Sequence, residues 1–183
     1  MKVKVKVPAT SANLGPGFDV AGLALTLYNT FTFELADQGL NITGCPEQFC
    51  NEENMTYQAF KQAAEICGLE YQGVNIECSG DVPYTRGLGS SSTCIVAGIV
   101  GAFAFKDKVE DRQEILELAT AIEGHPANVA PAIFGGLTVS VMEEDNVLTL
   151  NIPVKHDYRF VTLIPPFTLS TEQSRSVLPQ VLP

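Results

Sequence analysis

Residues 83–93 read Pro-Tyr-Thr-Arg-Gly-Leu-Gly-Ser-Ser-Ser-Thr and lead into a strongly apolar stretch, Cys94 to Phe105. Two glycines two residues apart allow a tight turn and a close approach of the backbone to a ligand. Hydroxyl side chains then stand where a helix should begin, beside free N–H groups at the positive end of the helix dipole. This pattern predicts a phosphate site. The alternative is a glycine turn followed by an ordinary serine N-cap.

The two best-known phosphate loops do not fit residues 83–93. A Walker loop needs a lysine after its last glycine, and no glycine of this chain precedes a lysine. A dinucleotide fingerprint needs a third glycine where Ser92 stands. The segment therefore predicts a phosphate loop of another pattern.

Size, charge and cysteine usage limit the class of protein. The chain has 183 residues and 45% hydrophobic content, enough for one well-buried domain, and it has no apolar run long enough for a membrane span. A net charge of −10 argues against a nucleic-acid partner. Five cysteines without a CxxC pair, beside only two histidines, argue against a zinc site or a disulfide framework. Reduced thiols in a cytoplasmic protein are expected.

Hydrophobic periodicity predicts the order β, β, α, β, α, α, β, β, β, α, with one further short helix. The predicted strands are residues 2–7, 28–35, 74–78, 136–142, 147–152 and 160–164. The predicted helices are residues 54–67, 91–105, 109–123 and 170–182, and the short helix is 128–134. Residues 8–27 are expected to form a loop and then an apolar segment. Paired strands and clustered helices favour the α+β class over a doubly wound sheet.

Two more segments carry polar side chains of the kinds that serve in binding or catalysis. Residues 8–19 read Pro-Ala-Thr-Ser-Ala-Asn-Leu-Gly-Pro-Gly-Phe-Asp, a long stretch without hydrophobic pattern. Long ordered loops are often functional, although a plain turn is the alternative. Residues 123–136 read Glu-Gly-His-Pro-Ala-Asn-Val-Ala-Pro-Ala-Ile-Phe-Gly-Gly and cluster an acid, an imidazole and an amide. The alternative there is a helix end followed by a turn.

Together the three segments resemble the GHMP small-molecule kinases, and among them the homoserine kinases. The motifs that carry the resemblance are Asn-Leu-Gly-Pro-Gly-Phe-Asp at 13–19, the Pro-x-x-x-Gly-Leu-Gly-Ser-Ser pattern at 83–91, and Glu-Gly-His-Pro-x-Asn-Val-Ala-Pro at 123–131. The resemblance implies the family's N-terminal domain over residues 1–165. That domain is a ribosomal-protein-like two-layer β/α fold with a left-handed βαβ crossover, against the usual right-handed rule. Residues 166–183 would begin the family's C-terminal domain, and the rest of that domain is expected to be missing from this chain.

The resemblance also implies a reaction. ATP would phosphorylate the hydroxyl of L-homoserine to give O-phospho-L-homoserine, a step of threonine biosynthesis, with Mg²⁺ as the metal ion. Two alternatives stay open: another GHMP kinase acting on mevalonate or a sugar, and a non-catalytic nucleotide-binding fragment. Weak or no turnover is expected from these 183 residues alone. A homodimer is one expected way to cover core exposed where a second domain would pack.

Site residues follow from the resemblance motif by motif. Ser90 and Glu123 would hold Mg²⁺ and serve catalysis, with Glu117 as the alternative acid. No strong general base is assigned, because phosphoryl transfer depends mainly on positioning and charge neutralisation. Ala127 stands where the family has an acid, and Ser92 and Thr93 stand where it often has alanine. The ATP residues would be Asn54, Pro83, Tyr84, Thr85, Arg86, Gly87, Leu88, Gly89, Ser90, Ser91, Ser92 and Thr93. The substrate residues would be Asn13, Asp19, His125, Asn128, Thr171 and Arg175, with Arg175 on the carboxylate.

Overall fold

The computed structural model describes residues 1–109, 111–144, 146–154 and 158–164. These residues form an α+β fold, as the order of predicted elements indicated. The strands are β1 (Lys2–Leu14), β2 (Gly17–Ala36), β3 (Gly39–Thr43), β4 (Gly73–Gly80), β5 (Leu137–Glu143) and β6 (Asn146–Ile152). The helices are α1 (Met55–Cys67), α2 (Ser90–Ala104), α3 (Arg112–Glu123) and α4 (Pro126–Phe134), and a single 3-10 turn spans Glu47–Phe49.

One mixed sheet connects all six of these strands. Its order is β3-β4-β2-β5-β6, and β1 lies beside β2. The long strand β2 pairs antiparallel with β1 along most of its length, with β4 through residues 29–36 and with β5 through residues 21–23. Strands β3 and β4 are parallel and are joined through α1. The β3–α1–β4 unit is a βαβ crossover of the kind that the resemblance implies. The left-handed sense of this crossover stays a prediction.

The core lies between one face of the sheet and the helices. Val3, Val5 and Val7 are buried along β1 while the intervening lysines are exposed, which is the period-two pattern of a half-buried strand. On β2, Phe33 is fully buried and stacks on Phe60 of α1 with ring centroids 5.5 Å apart. Helix α2 comes so close to the sheet that a Cβ at Gly101 would lie 2.7 Å from the Phe33 ring. The molecule is therefore built of two layers.

The prediction of a loop over residues 8–19 is wrong. Residues 8–14 continue β1, a two-residue turn follows at Gly15 and Pro16, and β2 begins at Gly17. Ala9 and Thr10 are fully buried, so small side chains rather than large apolar ones fill this part of the sheet. A search for alternating large apolar residues does not detect such a strand.

Three other predictions differ from the structure or lie outside it. Strand β3 was missed, since only Ile42 of its five residues is buried. The strand predicted at 160–164 is wrong, because those residues have no strand pairing and Val161 and Leu163 are 84% and 89% exposed. The helix predicted at 170–182 falls outside the described residues, as does the whole of the segment 166–183 assigned to a C-terminal domain, and the boundary at residue 165 stays a prediction. None of the helices among the described residues is long and apolar enough to cross a membrane.

Candidate functional site

The glycine loop ends in an uncapped helix. Gly89 is the N-cap residue of α2 with φ +66°, and among the described residues no side chain caps the free N–H groups of the first turn. The backbone N–H of Thr93 makes the first intrahelical bond, to the Gly89 carbonyl at 2.9 Å. The alternative of a serine N-cap is therefore wrong, and the first N–H groups of α2 stay available to an anion.

Glycine is needed at position 89 for two reasons. Its φ is in the left-handed region, which disfavours residues with a Cβ. A Cβ there would also collide with the Thr10 hydroxyl and lie 3.2 Å from Nδ2 of Asn128. Gly87 has a similar φ of +70° but faces open space. Gly89 therefore marks the point where the loop meets β1 and α4.

Thr10 joins all three motif segments. Its backbone N–H donates to the Leu88 carbonyl at 3.1 Å, and its hydroxyl accepts a 2.9 Å hydrogen bond from Nδ2 of Asn128. The side chain is completely buried. Thr10 was not among the predicted site residues, although it lies in the first motif segment. Thr10 therefore holds these segments next to one another in the fold.

Asn29 anchors the glycine loop at both ends. Its Nδ2 donates to the Thr93 hydroxyl at 3.0 Å, and its Oδ1 accepts from the Val82 backbone N–H at 3.2 Å. Asn29 is only 8% exposed, so both bonds lie in the interior. Sequence reasoning missed this residue, because an asparagine inside a strand gives no local signal of a contact 64 residues away.

Glu123 lies at the end of α3 and faces the start of α2. Its Oε1 accepts hydrogen bonds from the hydroxyls of Ser91 at 2.9 Å and Ser92 at 3.0 Å. Within the described residues no hydrogen bond joins Glu123 to the Ser90 hydroxyl. The alternative acid, Glu117, accepts instead from Gln113 at 2.7 Å and does not line the cavity described next.

A cavity of about 940 Å³ lies over the start of α2. It is lined by predicted residues from every motif segment that the structure describes. These are Asn13, Asn54, Tyr84, Thr85, Arg86, Gly87, Gly89, Ser90, Ser91, Glu123, His125 and Asn128. Four predicted ATP residues, Pro83, Leu88, Ser92 and Thr93, do not line it, and Leu88 instead packs with Ala9 and Val82. Thr171 and Arg175 lie outside the described residues.

Asp19 lies in a second cavity of about 620 Å³. Glu53, Met55, Glu123 and His125 line both cavities, so the two are adjacent. The Asp19 backbone N–H donates to Oδ1 of Asn13 at 2.7 Å, which holds the two ends of the β1–β2 turn together. Both residues have positive φ, +59° for Asn13 and +57° for Asp19.

His125 lines both cavities, and one of its ring nitrogens is buried. Its Nδ1 is buried and has no hydrogen-bond partner among the described residues. Buried polar atoms in native proteins nearly always have a partner, so an orphan beside a cavity is a candidate ligand contact. The Asp, Glu, Lys and Arg side chains among the described residues that line the larger cavity are Glu53, Arg86 and Glu123.

Asn54 has a structural role in the cavity wall. It caps α1 by accepting from the N–H groups of Thr56 at 2.9 Å and Tyr57 at 3.2 Å, and it donates to the Phe49 carbonyl at 2.8 Å. The Phe49 ring in turn lies 6.0 Å from the Tyr84 ring. Sequence reasoning missed Phe49 and the 3-10 turn that carries it, since a turn this short has no periodicity.

Cysteine side chains form another part of the wall that sequence reasoning missed. Cys45, Cys78 and Cys94 line the larger cavity. Burial raises the pKa of Cys45 to about 11 and that of Cys78 to about 12, and it also raises the pKa of Cys94. These thiols are therefore protonated and uncharged near neutral pH.

The fold and sequence match known kinases. Residues 54–136 match the model of the GHMP kinases N-terminal domain. A homoserine kinase of Clostridium beijerinckii is 50% identical over 179 residues, covering 97% of this chain and 60% of the relative. The Clostridium botulinum (strain Alaska E43) homoserine kinase is 48% identical with the same coverage.

Solved structures agree with this match. The crystal structure of homoserine kinase from Cytophaga hutchinsonii superposes with a TM-score of 0.81 at 27% identity, covering 100% of this chain and 61% of that one. The Methanococcus jannaschii mevalonate kinase structure, with a TM-score of 0.66 at 16% identity, shares the fold.

The chain is therefore similar to the GHMP kinases, whose N-terminal domain model matches residues 54–136. Within that family its sequence is similar to the homoserine kinases, and it spans about 60% of the length of the curated relatives it matches.

Proposed function

We propose that this chain is the nucleotide-binding part of a kinase that transfers the γ-phosphate of ATP to the hydroxyl of L-homoserine. The product is O-phospho-L-homoserine, an intermediate of threonine biosynthesis. The observation that carries the proposal is the cavity whose lining brings together the start of α2, Glu123 and His125. Five free cysteines suit a reducing compartment, and a cytoplasmic location is part of the proposal.

The ATP phosphates would lie over the start of α2. Free backbone N–H groups and the helix dipole favour an anion there. The hydroxyls of Ser90 and Ser91 line the same end of the cavity, and Arg86 brings a positive charge to it. Asn29 and Thr10 hold this loop in place through their hydrogen bonds to Thr93, Val82 and Leu88.

Glu123 and a serine hydroxyl would hold Mg²⁺. Within the described residues no three His, Cys, Asp or Glu side chains converge on a metal cage. That agrees with magnesium, which is commonly held by one or two protein oxygens, with phosphate and water supplying the rest. When bound, the ion neutralises charge on the transferred phosphoryl group. Ser90 is the predicted hydroxyl, and Ser91, already 2.9 Å from Glu123, is the alternative that the contacts favour.

The adenine would lie against the wall formed by the 3-10 turn and Tyr84. Phe49 and Tyr84 supply apolar ring surface at this side of the cavity. Asn54 lines the wall, but its carboxamide is engaged in the α1 cap and in the bond to Phe49. We therefore assign Asn54 to shaping the pocket rather than to a hydrogen bond with the base.

Homoserine would occupy the second cavity. Asp19 supplies a carboxylate for the substrate ammonium, and His125 faces both cavities. Asn13 and Asn128 line the neighbouring cavity, where Asn128 is oriented by its bond to Thr10. Thr171 and Arg175 stay predictions for further substrate contacts. Ala127 is buried and lines neither cavity, so the missing acid leaves no gap in the lining.

A phosphorylation assay tests the substrate. The 183-residue chain, and a chimera that adds the remaining C-terminal part of a matched homoserine kinase, are each incubated with Mg-ATP and homoserine, mevalonate or galactose. We expect the chimera to phosphorylate homoserine and the shorter chain to do so weakly or not at all. A chimera that phosphorylates only mevalonate or galactose would contradict the substrate assignment, and robust turnover by the shorter chain would contradict the expected need for a second domain.

A further inference from the structure

Four of the five cysteines gather at one side of the larger cavity. Cys45, Cys78 and Cys94 line it, and Sγ of Cys50 lies 3.5 Å from Sγ of Cys45. The fifth, Cys67, is buried away from this group at the end of α1. The kinase chemistry proposed above uses none of these thiols.

The fold explains why Cys45 and Cys50 meet. Gly44, with φ +79°, follows β3 and packs directly on the carbonyl of Cys78, where a Cβ would overlap it. This contact places Cys45 beside β4. The 3-10 turn Glu47–Phe49 then reverses the chain and returns Cys50 to Cys45. The Cys50 thiol points into this turn, 3.7 Å from the carbonyl oxygens of Cys45 and Pro46.

We propose that Cys45 and Cys50 form a redox modification site, oxidised by hydrogen peroxide to a disulfide that closes the 3-10 turn. The Cys50 sulfur attacks one peroxide oxygen, the O–O bond breaks, and Cys50 becomes a sulfenic acid with loss of one water. The Cys45 sulfur then attacks the Cys50 sulfur and displaces the second water. Two thiols and one hydrogen peroxide thus give one disulfide and two waters.

Exposure decides which thiol reacts first. Cys50 is exposed, whereas Cys45 and Cys78 are half-buried. Because the thiolate is the reactive form, the raised pKa values of Cys45, Cys78 and Cys94 slow their direct attack on peroxide. An exposed thiol with a second thiol in contact is the arrangement that favours a disulfide over further oxidation.

The bridge would alter the nucleotide wall, a consequence that rests on the proposed function. A disulfide needs its sulfurs about 2 Å apart, so the turn must tighten from the present 3.5 Å contact. The turn carries Gln48 and Phe49, which line the cavity, and Phe49 contacts both Tyr84 and Asn54. If the Phe49–Tyr84 contact is disturbed, we expect Mg-ATP to bind about three- to tenfold more weakly.

Peptide mapping tests the site without reference to nucleotide. The protein is treated with hydrogen peroxide, its free thiols are blocked, and a glutamate-specific protease cleaves after Glu34, Glu47 and Glu52. We expect peptides 35–47 and 48–52 to stay linked until a reductant is added. Cys50→Ser should abolish the link, and Cys67→Ala should keep it. Peptides that are not linked, or Cys45 linked to Cys78 or Cys94, would overturn the proposal.

Calorimetry with Mg-ATP tests the consequence. The reduced protein should bind more tightly than the oxidised one, and Cys50→Ser should bind equally before and after peroxide. A linked protein with unchanged affinity would overturn the coupling between turn and nucleotide. If neither form binds Mg-ATP while the link forms, the nucleotide function and the coupling fail, whereas the modification site is supported.

Discussion

Asn29 shows how a single buried amide can position a loop that it does not belong to. Its two hydrogen bonds, to the Thr93 hydroxyl and the Val82 N–H, span the start and the end of the glycine segment. Removing the Asn29 carboxamide leaves the backbone N–H of buried Val82 without this partner. The geometry of the uncapped helix start thus depends on a residue of β2.

Asn29→Ala should lower the free energy of unfolding by about 2–3 kcal/mol, since it removes two buried hydrogen bonds. Urea denaturation measures this, with Asn41→Ala as the control, because Asn41 is exposed on β3. We expect the control to change stability by less than about 0.5 kcal/mol. Equal effects of the two substitutions would contradict the anchoring role.

The buried thiols predict an alkaline loss of stability. The pKa of Cys78 is raised to about 12 by burial, above its ordinary value of 9.0. Below pH 9 the thiol is neutral in both states and the folded protein keeps its full stability. As the pH rises from 9 towards 12, the unfolded thiol ionises first, so the free energy of unfolding falls.

Cys78→Ala should therefore lose less stability between pH 8 and pH 10.5 than the parent protein. The difference is expected to be on the order of 1 kcal/mol, after allowance for partial solvent screening. Urea denaturation at both pH values, in the presence of a reductant, gives the two losses. Identical losses would show that Cys78 ionises in the folded state as readily as in the unfolded chain.

At the scale of elements, the turn into α2 depends more on Gly89 than on Gly87. Gly87→Ala places a residue with a Cβ in the left-handed region but in open space. It should lower the free energy of unfolding by about 1–2 kcal/mol. Gly89→Ala adds a collision with Thr10 to the same strain and is expected to cost roughly 2 kcal/mol more. Denaturation measures both, and Mg-ATP affinity should fall further in Gly89→Ala. A smaller loss at Gly89 than at Gly87 would contradict the close approach to Thr10.

The elements also show what sequence could and could not predict. The helices over 54–67, 91–105 and 109–123 were predicted within three residues at each end, because each has apolar residues at helical spacing or nearly all round, and Gly68 ends the first. The third helix begins three residues later than predicted, because Asp111 caps it. Residues 8–14 were mistaken for a loop, because a strand buried through Ala9 and Thr10 has no large apolar residues. The motif residues come together at one cavity, whereas Asn29, Thr10 and Phe49 lie at contacts between distant segments that no local pattern indicates.

At the scale of the whole molecule, the β5–β6 hairpin exposes an apolar face. Val141 and Leu148 are cross-strand partners and are both exposed, and Leu150 and Ile152 continue the same face. The exposed fractions of Leu148 and Leu150 are 61% and 72%. A contiguous apolar face of this kind favours self-association, as the prediction of a homodimer requires.

Replacing Leu148 and Leu150 together by threonine should reduce self-association. Threonine suits a strand, so the free energy of unfolding should change by less than about 0.5 kcal/mol per site. Sedimentation velocity over a range of concentrations measures the effect, with Asn151→Thr on the same strand as the control. A concentration dependence as strong in the double variant as in the parent would show that another surface drives association.

The central claim is that the cavity over α2 binds Mg-ATP through Glu123. Calorimetric titration of the reduced protein with ATP, with and without Mg²⁺, tests it most directly. We predict that Mg²⁺ strengthens ATP binding, that Glu123→Gln abolishes this gain because it removes the negative charge, and that Glu117→Gln keeps it. The absence of any binding of Mg-ATP, or an undiminished magnesium effect in Glu123→Gln, would contradict the account.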